Sequence, residues 1–521
     1  MVTGFLDVLL RGLILSGQAV AIGGVAFALV LLRPDGRDPE SARPLARTLG
    51  WISLGAVVLA SAQSLGLAVQ VWALGSQAGS VPLLLGTTYV RGCVARVVAC
   101  AGLALAGWNL RRRPDRVGGW IALAGFAIAL GVASAWTSHA AARPGPRAAL
   151  LALDAAHQLA AGVWIGGLIH FLLLSPWWRR SVRAAISLPR FSALLLAAVS
   201  TLVLAGGGLT LVYVDGPAGL LGTAYGVMVL AKVAILGALL LLGAANFLAI
   251  RRARGAPEDR GRLGRNVEVE VGLGVTALFV AASLTSLPPA IDLTTDRATF
   301  GDMAQRFTPK WPSFSSPAIA EMPVESRDAA RTDADRAWSE YNHHVAGLLV
   351  LTMGTLAVAS RTGRARWARH WPLIFLGLAA FIVVRADPGA WPLGPLGFWE
   401  SMAYPEIIQH RVFALIVIAF GVFEWMVRTG RFASRGPALV FPLLCAVGGG
   451  LLLAHSHGGV NVKEEFLIEV THIPLGLLAV AVGWGRWLEL RSAPPEARRA
   501  GRVWEVSLVL VGILLVLYRE S

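Results

Sequence analysis

The sequence predicts an all-α polytopic membrane protein: an eight-helix bundle made of two parallel four-helix repeats, followed by a six-helix bundle, about 14 transmembrane helices in total. Three observations carry that prediction. Apolar runs of about twenty residues recur along the chain, each long enough to cross a bilayer core of roughly 30 Å. The loops between them alternate between arginine-rich and nearly uncharged or mixed. The first half of the chain also matches itself at a constant offset. Composition agrees, since apolar residues make up 55% of the 521 and charged residues 15%, with a mean hydropathy of +0.63.

The apolar runs of the first bundle fall near residues 5–32, 48–74, 88–110, 118–137, 150–175, 188–214, 222–250 and 266–287. Those of the second fall near 341–360, 371–386, 406–427, 437–455, 465–488 and 503–518. The first run, Phe5 to Leu32, is too long for a signal-peptide core and reads as a retained transmembrane helix. The loops RPDGRDPESARPLAR, RRRPDR, WWRRSVR, RRARGAPEDRGRLGR, RTGRARWAR, RTGRFASR and RSAPPEARRAGR hold most of the arginines. Positive loops stay cytoplasmic, so both termini and the segment 288–340 are expected on the outer side of the membrane. The same clustering accounts for the net charge of +15 as topology and lipid contact, and excludes a nucleic-acid partner. Only three cysteines occur; Cys93 and Cys100 sit on one predicted helix about 10 Å apart along its axis, too far for a mutual bridge.

The domains expected are an eight-helix membrane domain over 1–287, a connecting loop over 288–340 and a histidine-rich six-helix domain over 341–521. Within the first, LLLGTTYVRGCVARVV from residue 83 matches GLLGTAYGVMVLAKVA from residue 219, pairing Gly86 with Gly222, Tyr89 with Tyr225 and Arg96 with Lys232. Upstream, SGQAVAIGGVAF matches AAGVWIGGLIHF, pairing Gly23 and Gly24 with Gly166 and Gly167. The repeats are therefore set at 1–140 and 150–287, with small residues allowing close helix contact.

Polar chemistry gathers at one predicted level. LLLAHSHGGVNVKEEFLIEVTHIPLG, residues 451–476, places His455 and His457 at the outer end of one helix, and Glu469 and His472 on one face of the next. Gly458 and Gly459 end the first helix and free the His-Ser-His directions. Glu406 and His410 stand at i, i+4 in YPEIIQHR, with Met402 just before them, and YNHH supplies His343 and His344. Imidazole and carboxylate sets from facing helices are how bundles build metal sites. The candidate metal ligands are His410, His455, His457, His472, His344, Glu406, Glu469 and His157. A hydrogen-bonded outer rim or a proton relay are the other readings of the same residues. In the first bundle, Asp154, His157 and His170 on one helix, with Lys232 and Arg96, form a candidate translocation path joined by Met402. For His170 a helix–helix hydrogen bond is an equal alternative, and for the two cations a snorkelling structural role is.

Residues 150–250 carry a resemblance. HQLAAGVWIGGL, followed by an arginine loop and YGVMVLAKVAILGALLLLGAANF, resembles the copper-resistance D (CopD) family of bacterial inner-membrane proteins. The resemblance implies a protein handling copper between periplasm and cytoplasm, beside a periplasmic copper-binding partner of the CopC type. On matching positions the family residues are His157, Trp164, Gly166, Gly167, Lys232 and Asn246; Phe247 stands where the family commonly has a basic residue.

The function expected is copper transport or resistance, with the ion captured at the outer His/Glu cluster. The rival is a membrane b-type cytochrome in which two of the same histidines, such as His410 and His472, ligate haem. A scaffold that binds copper without moving it is a third reading. No ATP-binding motif or catalytic nucleophile set stands out, so a transporter or metal-binding protein is expected in preference to an enzyme. Topology is directly testable. A reporter fused after Ser521 is expected to be active only in the periplasm; activity confined to the cytoplasm would invert the assignment.

Overall fold

The computed structural model describes residues 2–33, 39–74, 80–143, 145–252, 257–322, 332–363, 365–432, 434–453 and 462–520. Thirteen helices among them are long and apolar enough to cross a bilayer, and the chain is a multi-pass membrane protein. The fourteenth expected span, near 503–518, lies in a helix that starts earlier, Glu496–Val516, and carries Arg498, Arg499, Arg502 and Glu505 in its first half. Those charges shorten its apolar stretch, which is why it falls outside the thirteen. Two compact units divide the chain: residues 3–220 with 228–294, and residues 295–521 with 1–2 and 221–227.

The N-terminal unit begins with α1 (Val2–Phe27), which continues as a π-helical turn over Ala28–Leu32. It goes on through α2 (Pro39–Leu74), α3 (Thr88–Arg112), α4 (Val117–Ala135) and α5 (Arg147–Ala161). A second π-helical turn, Gly162–Gly166, joins α5 to α6 (Gly167–Leu173), so that one span crosses as a wide-turned helix. α7 (Val182–Tyr213), α8 (Ala224–Arg252) and α9 (Pro257–Leu284) follow. α2 packs on α3, α3 on α4, α4 on α5, α5 on α7, and α6 on α9. Leu204 and Leu211 on α7 and Leu241 on α8 project outward. Apolar side chains on an outer surface are what lipid contact requires.

The tightest approach in this unit is at glycine. A Cβ on Gly23 would run into the backbone of Gly166, and one on Gly166 into the carbonyl of Ala19. The GVWIGG and AIGGVAF segments therefore cross backbone to backbone, where only hydrogen side chains fit. Gly24 opens the adjoining space for the His170 ring.

The C-terminal unit holds α10 (Phe300–Phe307), α11 (Asp333–Arg361), a 3₁₀ segment Arg366–Leu373 running into α12 (Ile374–Arg385), α13 (Pro405–Arg428), α14 (Val440–Leu453), α15 (Val462–Arg491) and α16 (Glu496–Val516). α14 packs on α15, α16 on both α11 and α15, and α12 on α13. Trp371, Phe375, Phe420, Phe441 and Trp504 fill the core between them. The short α10 is started by a capping box in which Thr299 and Asp302 exchange hydrogen bonds. Asp302 also accepts from Lys463 at 2.8 Å. The Lys463 ammonium, then the Thr299 N–H, holds the Asp302 carboxyl down at about 2. Its contribution is thus present above the ordinary carboxylate range and lost only as pH falls through about 2.

At the arginine-rich ends of these helices a buried ion network forms. Arg428 and Arg486 reach Glu424 at 2.7 and 2.9 Å, Arg486 reaches Glu489 at 2.8 Å, and Arg361 reaches Glu489 at 2.5 Å and Glu505 at 2.8 Å. The Trp504 indole N–H donates to Glu489 at 2.6 Å, and Arg428 lies over the rings of Trp371 and Trp504. Three guanidiniums face three carboxylates, so the network is neutral, and it ties α11, α13, α15 and α16 together. Glu424 has no solvent exposure. Glu424→Gln keeps the shape and removes the charge shared by two arginines. It is expected to cost about 3–5 kcal/mol, the penalty of stranding a buried charge. Reversible unfolding in detergent measures it, and a loss below about 1 kcal/mol would mean that Arg428 and Arg486 do not depend on Glu424.

Candidate metal centre

The capping of α11 by Thr332 and Asp335 starts the helix early enough to carry the Tyr-Asn-His-His segment in its third turn. Adjacent helical residues point about 100° apart, so His343 and His344 face different neighbours. His344 is fully buried; its Nδ1 accepts from the Ser313 N–H at 3.0 Å and its Nε2 donates to the Tyr518 carbonyl at 2.9 Å. Both ring nitrogens are thus engaged with backbone, and the ring ties α11 to the segment after α16.

His343 is the member that meets His472. It stacks on Tyr518 at 4.0 Å between centroids and stands edge-on to His472 at 5.9 Å. The Nδ1 of His343 donates to the Ser339 carbonyl at 2.8 Å, and that of His472 to the Ile468 carbonyl at 2.7 Å. An imidazole whose Nδ1 carries the proton has its lone pair on Nε2, the arrangement that orients a metal-binding ring. Glu469 lies buried on α15 one turn before His472.

His410 on α13 is half-exposed, and its Nδ1 bonds the Asp387 carboxylate at 2.8 Å. Asp387 follows α12, whose end is held by Arg385 lying 3.7 Å over the Trp338 ring and donating to Ser316 at 2.7 Å. A carboxylate behind an imidazole is again the support that a ligating histidine uses. Met402 closes the turn after Phe398–Ser401, half-buried. His455 and His457 lie outside the described residues, as does the side chain of Glu406. Among the described residues, no three His, Cys, Asp or Glu side chains converge as a metal set.

In the N-terminal unit, α5 carries Asp154 and His157 one turn apart. Asp154 is buried and accepts from Gln158 at 2.9 Å, and Lys232 lies within its electrostatic reach. His157 donates from Nδ1 to the Leu202 carbonyl on α7 at 3.1 Å, with Gly206 making room for its ring. His170 is wholly buried and bonds the Val20 carbonyl on α1 at 2.9 Å, a helix–helix tie. Arg96 donates to Gln63 at 2.8 Å and to Thr137 at 3.3 Å. Asn246, near the far end of α8, donates to the buried Glu270 at 2.6 Å.

Residues 185–284, spanning most of α7 and all of α8 and α9, match the family described as copper resistance protein D, CopD. That segment is similar to CopD. Lys232, Asn246 and Glu270 all belong to it, whereas Asp154 and His157 precede it on α5. The chain is also 32% identical, over 181 residues, to the copper transport protein CutJ of Bacillus subtilis (strain 168). That alignment covers 34% of this chain and 32% of CutJ, so the chain spans about a third of the length of that relative. No solved structure gives a significant match.

Sequence reasoning passed over Asp387, Tyr518 and Glu270. Asp387 stands in a short loop with no periodicity, and Tyr518 lies at the far end of the chain. No local signal separates His343 from His344, since which of them faces α15 is set by helix packing. His344→Ala would remove two backbone hydrogen bonds and is expected to cost about 1–3 kcal/mol in stability. The copper content of the purified protein should be unchanged. Loss of copper without loss of stability would make His344 a ligand.

Proposed function

We propose that this chain is a copper transport or resistance membrane protein, which captures the ion on imidazoles of its C-terminal unit and moves it across the membrane through α5 and the CopD segment. The CopD match over α7–α9 in a multi-pass chain carries the reading. The relative named a copper transport protein supports it. So does the common tautomer of His343, His410 and His472, each of which puts its lone pair on Nε2. His455, His457, Glu406 and Glu469 complete the proposed ligand set.

Copper is cargo here, and the donor chemistry selects its oxidation state. Imidazole and carboxylate suit Cu(II), whereas a Cu(I) path favours methionine and cysteine, of which this chain has seven and three. In the N-terminal unit, Asp154 and His157 are one acidic and one imidazole donor on the same helix. Lys232 competes with a metal cation for Asp154, which weakens retention and favours release. We place the chain in a bacterial inner membrane with both termini periplasmic, from the arginine alternation, and expect a CopC-like donor protein on that side. The eight-helix part is proposed to consist of two repeats, 1–140 and 150–287; the contact between the paired Gly23 and Gly166 supports this.

The test uses the full chain in proteoliposomes with radioactive copper(II). The wild type should accumulate copper, and His455→Ala/His457→Ala and His343→Ala/His472→Ala should each reduce bound copper at least about tenfold. Acid should weaken binding, because imidazole ligates as the neutral ring. Full copper content in both double variants would overturn the site. A stoichiometric Soret band without copper would replace the reading with a b-type cytochrome.

A further inference from the structure

Arg96 is 6% exposed on α3, in the interior of a membrane-spanning helix. Among the described residues no carboxylate pairs with it. Its partners are neutral: the Gln63 amide oxygen and the Thr137 hydroxyl, both reached through Nη1, while Nε is buried with no partner. Gln63 is turned by its own bond to Cys93, its amide N–H₂ donating to Sγ at 3.2 Å, so its oxygen faces the guanidinium. Thr137 donates its hydroxyl proton to the Ser134 carbonyl at 2.8 Å. These groups orient Arg96 without neutralising it.

Arg96 lines a cavity of about 70 Å³ in the N-terminal unit, with Gln63, Tyr89, Thr137, Asp7 and Arg11 among the other walls. A single water needs roughly 10–15 Å³ of such space, so the cavity has room for a small ion with part of its hydration shell. Asp7 and Arg11 form an ion pair at 2.6 Å and cancel. The Arg96 charge is left over, and the cavity wall is net positive by one. Its sequence counterpart, Lys232, has Asp154 within electrostatic reach; among the described residues Arg96 has no such carboxylate. A buried cation at membrane depth is expensive unless something of opposite charge joins it.

We propose that the Arg96 cavity binds a small monovalent inorganic anion of the halide class, which supplies the counter-charge that the protein does not. The size of the cavity excludes large organic anions, and the guanidinium N–H groups on its wall provide donors for a spherical acceptor.

The test is equilibrium binding of radioactive chloride to the full-length wild type in nanodiscs. One saturable site per chain is expected, displaced by bromide and untouched by gluconate, and the thermal midpoint should rise when chloride replaces gluconate at constant ionic strength. Arg96→Gln should weaken chloride binding at least tenfold. Gly66→Leu is the second variant, because Gly66 lines the cavity and a Cβ there meets nothing closer than Leu10 at 4.0 Å. It fills the space while keeping the arginine, and should also abolish binding. Absence of saturable chloride binding in the wild type, or binding unchanged in either folded variant, would overturn the proposal and leave water as the occupant.

Discussion

A charge kept from water must meet its opposite inside the protein, and in the C-terminal unit that requirement joins four helices at one place. Glu424, with no exposed surface, serves Arg428 on its own helix and Arg486 on another. Glu489 and Glu505 bring in Arg361. Because these ion pairs run between helices, with Glu424 and Glu489 each shared by two arginines, the helices cannot slide or rotate past one another without stranding a charge. The aromatic core of Trp371, Phe375, Phe441 and Trp504 then packs against a register already set by the ions. At their other ends α11 and α15 present His343 and His472 to each other across Tyr518. The metal-binding chemistry proposed for this unit depends on that fixed register.

The N-terminal unit solves a different problem. Lipid offers no hydrophobic force between apolar helices, so close van der Waals contact and interhelical hydrogen bonds must hold them. Gly23 against Gly166 brings two backbones together, and the adjoining Gly24 admits the ring of His170, whose bond to the Val20 carbonyl locks the crossing. Gln18, Ser134 and Gln158 extend the tie, with Ser134 donating to Gln18 at 2.6 Å and Gln18 donating to Gln158 at 3.2 Å. Asp154 is joined to this chain through Gln158. The Asp154 carboxylate is therefore held by a chain of hydrogen bonds that spans three helices.

Two groups of histidines differ in which ring nitrogen donates to the protein. His344 and His170 are completely buried and bond backbone across helices, which is a structural use. His343, His410, His472 and His157 each spend Nδ1 on a carbonyl or carboxylate, leaving the ring oriented for Nε2 coordination.

The helical, membrane-spanning character was determined by sequence alone, because an apolar run of bilayer length has no other stable form in lipid. The CopD resemblance over residues 150–250 was legible too, in VWIGGL and in the Lys232 and Asn246 positions, and the family match over 185–284 includes the latter two. Tertiary structure decided what lies far apart in the chain. Tyr518 meets His343, Asp387 meets His410, and Arg361 meets Glu505, and no local periodicity encodes such pairs. It also decided between neighbours: His343 and His344 are equivalent as letters, yet a 100° step on the helix sends one to His472 and the other to the backbone. Arg96 shows the same division, since its cost in the membrane could be read from its position, while its neutral partners Gln63 and Thr137 and the cavity beside it exist only once the helices are packed.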